Sequence, residues 1–415
     1  MASRTRGAEG GIVTTEVMEK AEKPATFGAV FSVSAYRVVF VSRSLAIAAD
    51  SLRIIALSML VYSLTKSALL SAVTFGIGFL PQVAGGMLLG SLADRIRPRR
   101  LITSGYLVEC GTALCLATIP MPVGFSLAIV AAVGAFMPVF GGASSRLVAE
   151  VLPGDLYVLG RSVSSMASGA AQLLGMAFGG LAVAAVGPQR ALLISAASHA
   201  ASALIVRFGL SDLDLPERSD NQAGAVAESW RTNRALLKDE AIRALLLIQW
   251  LPPLFIVGAE ALIVAYADVR GFGAGSAGLL LAWSPAGMLV GHLVVGRFLR
   301  PQTRTRMVAP LIVLLGAPIF VLAFSPPAWM VGAVLFLTGC GFGYPLGLQR
   351  VFVDAIPQRH RGQAFGLLTM GLMTFQGLGP LVFGAIAQGW GVRVAMVLAA
   401  TACVSTAAIW QLRGR

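Results

Sequence analysis

Twelve apolar segments, each near the length of a membrane-crossing helix, dominate this 415-residue chain. A helix needs about 20 apolar residues to cross the hydrocarbon core of a bilayer. Only 12% of the residues are charged, against about 25% in soluble domains. The pattern therefore predicts an all-α, multi-pass membrane protein. The segments run at 37–63, 69–93, 101–120, 123–146, 161–186, 190–209, 243–268, 274–297, 307–325, 328–350, 362–388 and 391–411.

A polar, charged segment at 210–242 separates the first six apolar segments from the last six. The N-terminal stretch is also polar, and no apolar run directly follows Arg4 and Arg6, which argues against a signal peptide. The predicted parts are a disordered cytoplasmic tail (1–28), an N-terminal six-helix bundle (29–209), a cytoplasmic linker (210–242), a C-terminal six-helix bundle (243–411) and a short cytoplasmic tail (412–415).

The distribution of Lys and Arg predicts the orientation of the chain. With the N-terminus placed inside, 26 of the 32 basic residues fall in cytoplasmic segments and four in outside loops. Cytoplasmic loops of membrane proteins carry this excess. We therefore expect both termini in the cytoplasm and the chain in the cell inner (plasma) membrane. The same bias accounts for the net charge of +13, so no nucleic-acid partner is expected.

The two halves of the chain repeat each other at an offset close to half its length. "GGMLLGSLADRIRPRR" (85–100) overlays "GHLVVGRFLRPQTRTR" (291–306) at an offset of 206, and "RLVAEVLP" (146–153) overlays "RVFVDAIP" (350–357) at 204. A third patch, at an offset of 202, places Gly187 on Gly389. Two related halves with a site between them are typical of secondary transporters.

The loop within 85–100 resembles a motif of the major facilitator superfamily. Gly90, Asp94 and Arg95 match that motif, whereas Arg97 stands where the family has Gly. The resemblance covers about 37–411 and looks closest to the twelve-span branch of multidrug and siderophore exporters. It implies the major facilitator fold: twelve transmembrane helices in two pseudo-symmetric six-helix bundles around a central cavity.

Two departures from the exporters of that family weaken the expectation of proton-coupled export. "GMAFGG" (175–180) has Met176 where those exporters have Pro, and the fourth segment carries no charge until Arg146 at its end. Glycines in the fifth and eleventh segments are expected to let helices slide at an interface, or to serve ordinary helix packing. They are Gly175, Gly179, Gly180, Gly377 and Gly379.

Charges at the inner ends of the segments are predicted to form a cytoplasmic gate that pairs when the two halves meet. The alternative is that these charges set the topology only. The predicted gate residues are Gly90, Asp94, Arg95, Arg146, Glu150, Arg350 and Asp354.

Charges inside the membrane are costly and indicate function. Arg43, Asp50 and Arg53 share one helix face, because spacings of seven and three return to the same side. Asp50 is predicted to bind a proton or substrate, with Arg53 beside it. The alternative is a permanent Asp50–Arg53 pair that only orders the helix.

Four further residues are candidates for proton coupling or substrate binding. Glu260 lies in the seventh segment and Glu109 in the third, where a local hydrogen-bonded role is the alternative. Tyr266 and Gln376 are weaker candidates for lining a pocket. His199 is interpreted as a packing residue.

The predicted function is a secondary active transporter that exports a small amphipathic organic compound by alternating access, with protons as the coupling ion. An importer or facilitator of a small metabolite is the alternative, and a membrane receptor or enzyme is disfavoured. The sequence shows no Walker loop, nucleophile elbow or metal-ligand spacing. We therefore expect no cofactor, no metal and no catalytic residue. A monomer in the lipid bilayer is expected.

Overall fold

The computed structural model describes residues 26–89, 96–153, 155–211, 231–272, 276–357 and 360–413. These residues form helices joined by short connections, and none of them lies in a strand. In chain order the helices are α1 (Phe27–Ser32), α2 (Ser34–Thr65), α3 (Ala68–Gly76), α4 (Leu80–Leu89), α5 (Pro98–Thr118), α6 (Val123–Val151), α7 (Asp155–Val186), α8 (Pro188–Gly209), α9 (231–238), α10 (Glu240–Glu260), α11 (Ile263–Val269), α12 (Ser276–Leu293), α13 (Pro301–Arg306), α14 (Val308–Gly316), α15 (Ala328–Gly341), α16 (Pro345–Ala355), α17 (Arg361–Trp390) and α18 (Val392–Arg413).

These helices confirm the predicted twelve membrane crossings. Within the described residues, eleven helical stretches are long and apolar enough to span a bilayer, and Val308–Phe324 supplies a shorter twelfth. Helix pairs build three of the spans: α3 with α4, α10 with α11, and α15 with α16. The eighth span ends in a π-helical turn, and the ninth ends in a 3₁₀ segment.

Local sequence explains why several helices end where they do. Lys66 adopts a left-handed conformation (φ 52°) after α2, and the Ser67 hydroxyl then accepts a hydrogen bond from Leu70 N at 3.2 Å to start α3. Gly187 (φ 82°) and Gly391 (φ 90°) make the turns after α7 and α17, in a region that favours glycine. The residue equivalent to Gly187 is therefore Gly391, at an offset of 204. The predicted overlay of Gly187 on Gly389 is wrong by two residues.

Packing divides the helices into two bundles that meet along two pairs of spans. In the first half α2 packs on α7 and α8, and in the second half α10 packs on α17 and α18. Between the halves, α7 packs on α12 and α3 packs on α17. The fifth span thus meets the eighth, and the second meets the eleventh. A pseudo-two-fold axis relates these two contacts to each other. This arrangement confirms the predicted pseudo-symmetric major facilitator fold.

The domain boundaries stay predictions. Helix α9 (231–238) and the start of α10 lie within the segment expected to be a linker. Asp239 caps α10 by accepting a hydrogen bond from Ile242 N at 3.0 Å. The rest of that segment, 212–230, lies outside the described residues, as does most of the predicted N-terminal tail.

Candidate functional site

A cavity of about 1000 Å³ lies toward one end of the molecule. We call the end where α2 begins and α18 finishes the basic face, and the opposite end, where α2 and α17 finish, the far face. The cavity is lined from both bundles by residues near the basic-face ends of their helices, and it reaches Asp50 at the middle of α2. Its lining includes Arg43, Ile47, Asp50, Gln82, Tyr106, Met137, Phe140, Tyr157, Arg161, Phe365, Met370 and Met373.

An ion network lies beside this cavity. Nη2 of Arg53 lies 2.9 Å from Oδ1 of Asp50 and 3.0 Å from Oε2 of Glu109. Arg53 and Glu109 are buried, whereas the Asp50 side chain is 21% exposed and lines the cavity. One guanidinium therefore joins two carboxylates on two helices, and Asp50 is the member of the network that cavity contents can reach.

His199 on α8 completes the network. Its Nε2 lies 3.4 Å from Oδ1 of Asp50, and its side chain is fully buried. Ligand atoms of Asp50, Glu109 and His199 all lie within 4.8 Å of one another, close enough for a metal ion. Arg53, however, contacts both carboxylates and provides the positive charge that a metal would otherwise supply. The network comes from three helices, and sequence spacing indicates only its Asp50–Arg53 pair.

Glu260 forms a second and simpler site. It lies at the end of α10, buried, and accepts a hydrogen bond from the Ser284 hydroxyl of α12. Glu260 lines a small cavity of about 70 Å³ between the two halves, together with Gln376 and Gln172. The sequence candidates Glu260 and Gln376 therefore share one pocket, and Ser284 is a partner that the sequence analysis missed.

Tyr266 does not join either site. Its side chain is 1% exposed, and its hydroxyl donates a hydrogen bond to Leu322 O at 3.0 Å within the second bundle. Tyr266 is absent from the lining of both cavities. Its location gives no support to the hypothesis that it lines a substrate pocket.

Polar contacts close the far face. Lys66 Nζ lies 3.0 Å from Asp268 Oδ1, and the Tyr62 hydroxyl donates a hydrogen bond to Asp268 Oδ2 at 3.3 Å. Nearby, the Ser67 hydroxyl donates to Gln388 Oε1 at 3.2 Å. All three contacts join the first half to the second. The sequence analysis did not identify Asp268, which is one acid among several near segment ends.

Close packing of glycines reinforces this closure. A Cβ atom on Gly180 would clash with the backbone oxygen of Gly278, and one on Gly377 would lie 2.7 Å from Leu80 Cγ; both contacts cross between the halves. Gly175 and Gly179 instead pack against α2, and Gly379 packs against α10. The five predicted glycines all lie at close helix contacts, but only two of them lie between the bundles.

The predicted cytoplasmic gate lies only partly within the described residues. Gly90, Asp94 and Arg95 lie outside the described residues. Nε of Arg146 donates a hydrogen bond to Oε1 of Glu150 at 2.8 Å, one turn along the same helix. The remaining pair is also local, since Arg350 Nε lies 3.6 Å from Asp354 Oδ2 on α16 and both side chains are well exposed. Pairing of these charges between the halves stays a prediction for a state in which the basic face is closed.

Comparisons with known proteins agree with this architecture. The multidrug efflux pump Tap of Mycolicibacterium fortuitum is 23% identical over 361 residues, covering 83% of this chain and 87% of the pump. The crystal structure of the nucleoside transporter NupG aligns with a TM-score of 0.69 at 17% identity, covering 91% of this chain and 98% of that chain. A bacterial homologue of the human lysosomal transporter Spinster, in an inward-facing and unoccupied conformation, aligns with a TM-score of 0.69 at 13% identity, covering 91% and 96%.

At such low identities the solved structures show the fold alone. The sequence-family model of the Major Facilitator Superfamily matches residues 39–353, which is most of the chain. This match confirms the resemblance seen in the loop motif and the repeats. The chain belongs to the Major Facilitator Superfamily of membrane transporters, which are not enzymes.

Proposed function

We propose that this transporter exports a small amphipathic organic compound from the cytoplasm, by alternating access and in exchange for protons. The observation that carries the proposal is the contrast between the two ends of the molecule. A cavity of about 1000 Å³ lies toward the basic face, while the far face is closed by contacts between the halves. This is the arrangement expected of one of two alternating states.

The excess of Lys and Arg at the basic face supports a cytoplasmic location for that face. The cavity of this conformation then collects cargo from the cytoplasm, and export requires the halves to part at the far face. The weak similarity to the Tap efflux pump supports the outward direction.

Asp50 is the proposed coupling residue. It is the cavity-exposed end of a buried ion network, so a proton or a cargo molecule in the cavity reaches it directly. Protonation of Asp50 weakens its contacts with Arg53 and His199. These three residues lie on two helices of the first bundle, so their rearrangement can be transmitted to helix packing. Glu260, buried between the bundles, is the second candidate.

Transport in inverted membrane vesicles tests the proposal. We would impose a pH gradient, add cationic, neutral and anionic amphipathic compounds, and follow proton release from the vesicle lumen. Wild type is expected to release protons with at least one compound. Asp50→Asn is expected to abolish that release, whereas Glu240→Gln, an exposed acid at the start of α10, should retain it.

Each outcome discriminates between the alternatives. Release that persists in Asp50→Asn but is lost in Glu260→Gln would move the coupling role to the second bundle. Uptake of a compound by whole cells, without release in inverted vesicles, would favour an importer or facilitator. Transport independent of any pH gradient would contradict proton exchange.

A further inference from the structure

The large cavity has a polar side chamber with two arginines. A space of about 330 Å³ adjoins the cavity and shares with it Arg43, Ser144, Tyr157, Arg161 and Thr369. Apart from these, its lining is rich in hydroxyl groups. We call this part of the cavity the arginine chamber. It lies between α2, α6, α7 and α17, toward the basic face.

The arginines of this chamber carry positive charge that the described residues do not neutralise. No carboxylate among those residues lies within 4.0 Å of the Arg43 or Arg161 guanidinium. Arg161 Nη1 donates a hydrogen bond to the Tyr157 hydroxyl at 3.2 Å, which leaves its charge uncompensated. Both side chains line the cavity, so their charge acts on what enters it.

Asp50, the one acid among the described residues that line the cavity, offsets only part of this charge. Asp50 lies 2.9 Å from Arg53, which also contacts Glu109, so this network contributes at most one net negative charge against the two arginines. Asp50 also lies seven residues from Arg43, about 10 Å along the helix at 1.5 Å per residue. A cleft lined by one sign of charge, with low-dielectric walls, concentrates ligands of the opposite sign.

Away from the chamber the cavity wall is mostly apolar, with Asp50, Gln82 and Tyr106 as its polar members. Met137, Phe140, Met370 and Met373 line it from both bundles. Methionine side chains adapt to irregular apolar shapes. The cavity therefore combines a cationic chamber with an adaptable apolar wall.

We propose that the cargo is an amphipathic organic anion. Its carboxylate, sulfonate or phosphate group binds Arg43 and Arg161 in the arginine chamber, and its apolar body lies against the methionine-lined wall. Arginine suits this role because its planar guanidinium binds such groups with two parallel hydrogen bonds. This inference rests on the proposed function, since it names the cargo class of the same cavity.

Binding to the purified full-length protein tests the inference directly. We would place the protein in phosphatidylcholine nanodiscs and use a dansyl-labelled undecanoate as the probe. Two analogues with the same label and hydrocarbon chain, one ending in a neutral amide and one in a trimethylammonium group, isolate the contribution of charge to binding. The variants are Arg43→Gln, Arg161→Gln and the control Arg306→Gln, an exposed arginine at the end of α13.

The carboxylate is expected to bind about tenfold or more tightly than the trimethylammonium analogue, as for a hydrogen bond to a charged group. Arg43→Gln and Arg161→Gln should each remove most of that preference, and Arg306→Gln should keep it. Equal or tighter binding of the cation, or a carboxylate preference unchanged in both cavity variants, would overturn the inference. Because Arg161 is exposed, its variant stays informative even if Arg43→Gln fails to fold.

A lipid phosphate presents the same chemistry as a soluble anion. Nanodiscs that contain phosphatidylglycerol distinguish the two sources. If anionic lipid competes with the carboxylate in wild type but not in Arg43→Gln, the anion enters from the bilayer; without competition, it enters from solution. Both results support the anion site. Arginine-dependent binding without transport in vesicles would contradict the proposed function alone, whereas proton-coupled transport restricted to cations would contradict this inference alone.

Discussion

Each half of the molecule holds a carboxyl group inside a membrane-spanning segment, but the two groups are stabilised in opposite ways. Asp50 belongs to a network in which Arg53 contacts two carboxylates and His199 lies close by. Glu260 has a single hydroxyl partner, Ser284. Among the described residues, no basic side chain lies within 4.0 Å of Glu260.

The difference shows that the internal duplication extends to the fold but not to the charges inside the membrane-spanning segments. A buried charge is costly unless a partner of opposite sign compensates it. The first bundle provides one arginine for its two acids, so each acid is partly compensated and depends on the other. The second bundle provides no such partner among the described residues, so burying Glu260 in its charged form lowers the stability of the fold. We therefore expect substitutions in the first network to destabilise the protein far more than neutralisation of Glu260.

The largest expected effect is that of Arg53→Gln. This change leaves Asp50 and Glu109 next to each other without their shared cation. Breaking a buried ion pair costs about 3–5 kcal/mol of unfolding free energy. Chemical denaturation in detergent measures the loss, with Arg306→Gln as the exposed control. A loss below about 1 kcal/mol, as for an exposed pair, would show that the network does not stabilise the bundle.

Neutralising the whole network should reverse most of that loss. In Asp50→Asn/Arg53→Gln/Glu109→Gln no charge remains without a partner, and replacing a complete buried ion network is often close to neutral. The triple variant is expected to be more stable than Arg53→Gln alone, in the same denaturation experiment. If it is less stable, the cost arises from lost packing rather than from unpaired charge.

Ser284→Ala is expected to have an intermediate effect in the second bundle. It removes the hydroxyl partner of a buried acceptor, which costs about 1–3 kcal/mol. Ser198→Ala is a matched control, because its hydroxyl donates to a backbone oxygen on an exposed helix face. Equal unfolding free energies for the two variants would indicate that the Ser284–Glu260 hydrogen bond contributes nothing.

Glu260→Gln should have the smallest effect, below about 1 kcal/mol, the net value of one hydrogen bond. The amide oxygen can still accept the Ser284 hydrogen bond, and no ion pair is lost. Denaturation of this variant beside Arg53→Gln tests the comparison of the two halves. A loss as large as that of Arg53→Gln would mean that Glu260 has a compensating cation in another conformation.

The fold could be read from the sequence in considerable detail. The twelve spans follow from the length of the apolar segments, because a bilayer admits only helices or closed barrels. The two-fold arrangement follows from the repeats, although the glycine overlay assigned the turn after α17 to Gly389 instead of Gly391. Asp50 and Arg53 could be paired from their spacing, because residues three apart are neighbours on a helix.

The rest of the candidate site could not be predicted in this way. Glu109 and His199 reach Asp50 from α5 and α8, and no sequence periodicity relates residues on different helices. The contact of Asp268 with Lys66 joins residues 202 positions apart and exists only because the two halves meet at the far face. Sequence reasoning considered Glu109 and His199 separately from Asp50, and it did not identify Asp268.

The sequence by itself determined that this chain crosses the membrane about twelve times, in two related halves, with its basic residues gathered at one face. Hydrophobic length and charge asymmetry suffice for this, since both act on each segment alone. Only the tertiary structure decided which end of the bundle is open, which acids are compensated and where the arginines meet the cavity. Those properties depend on how helices pack against one another, and helix packing brings together residues that lie far apart in the chain.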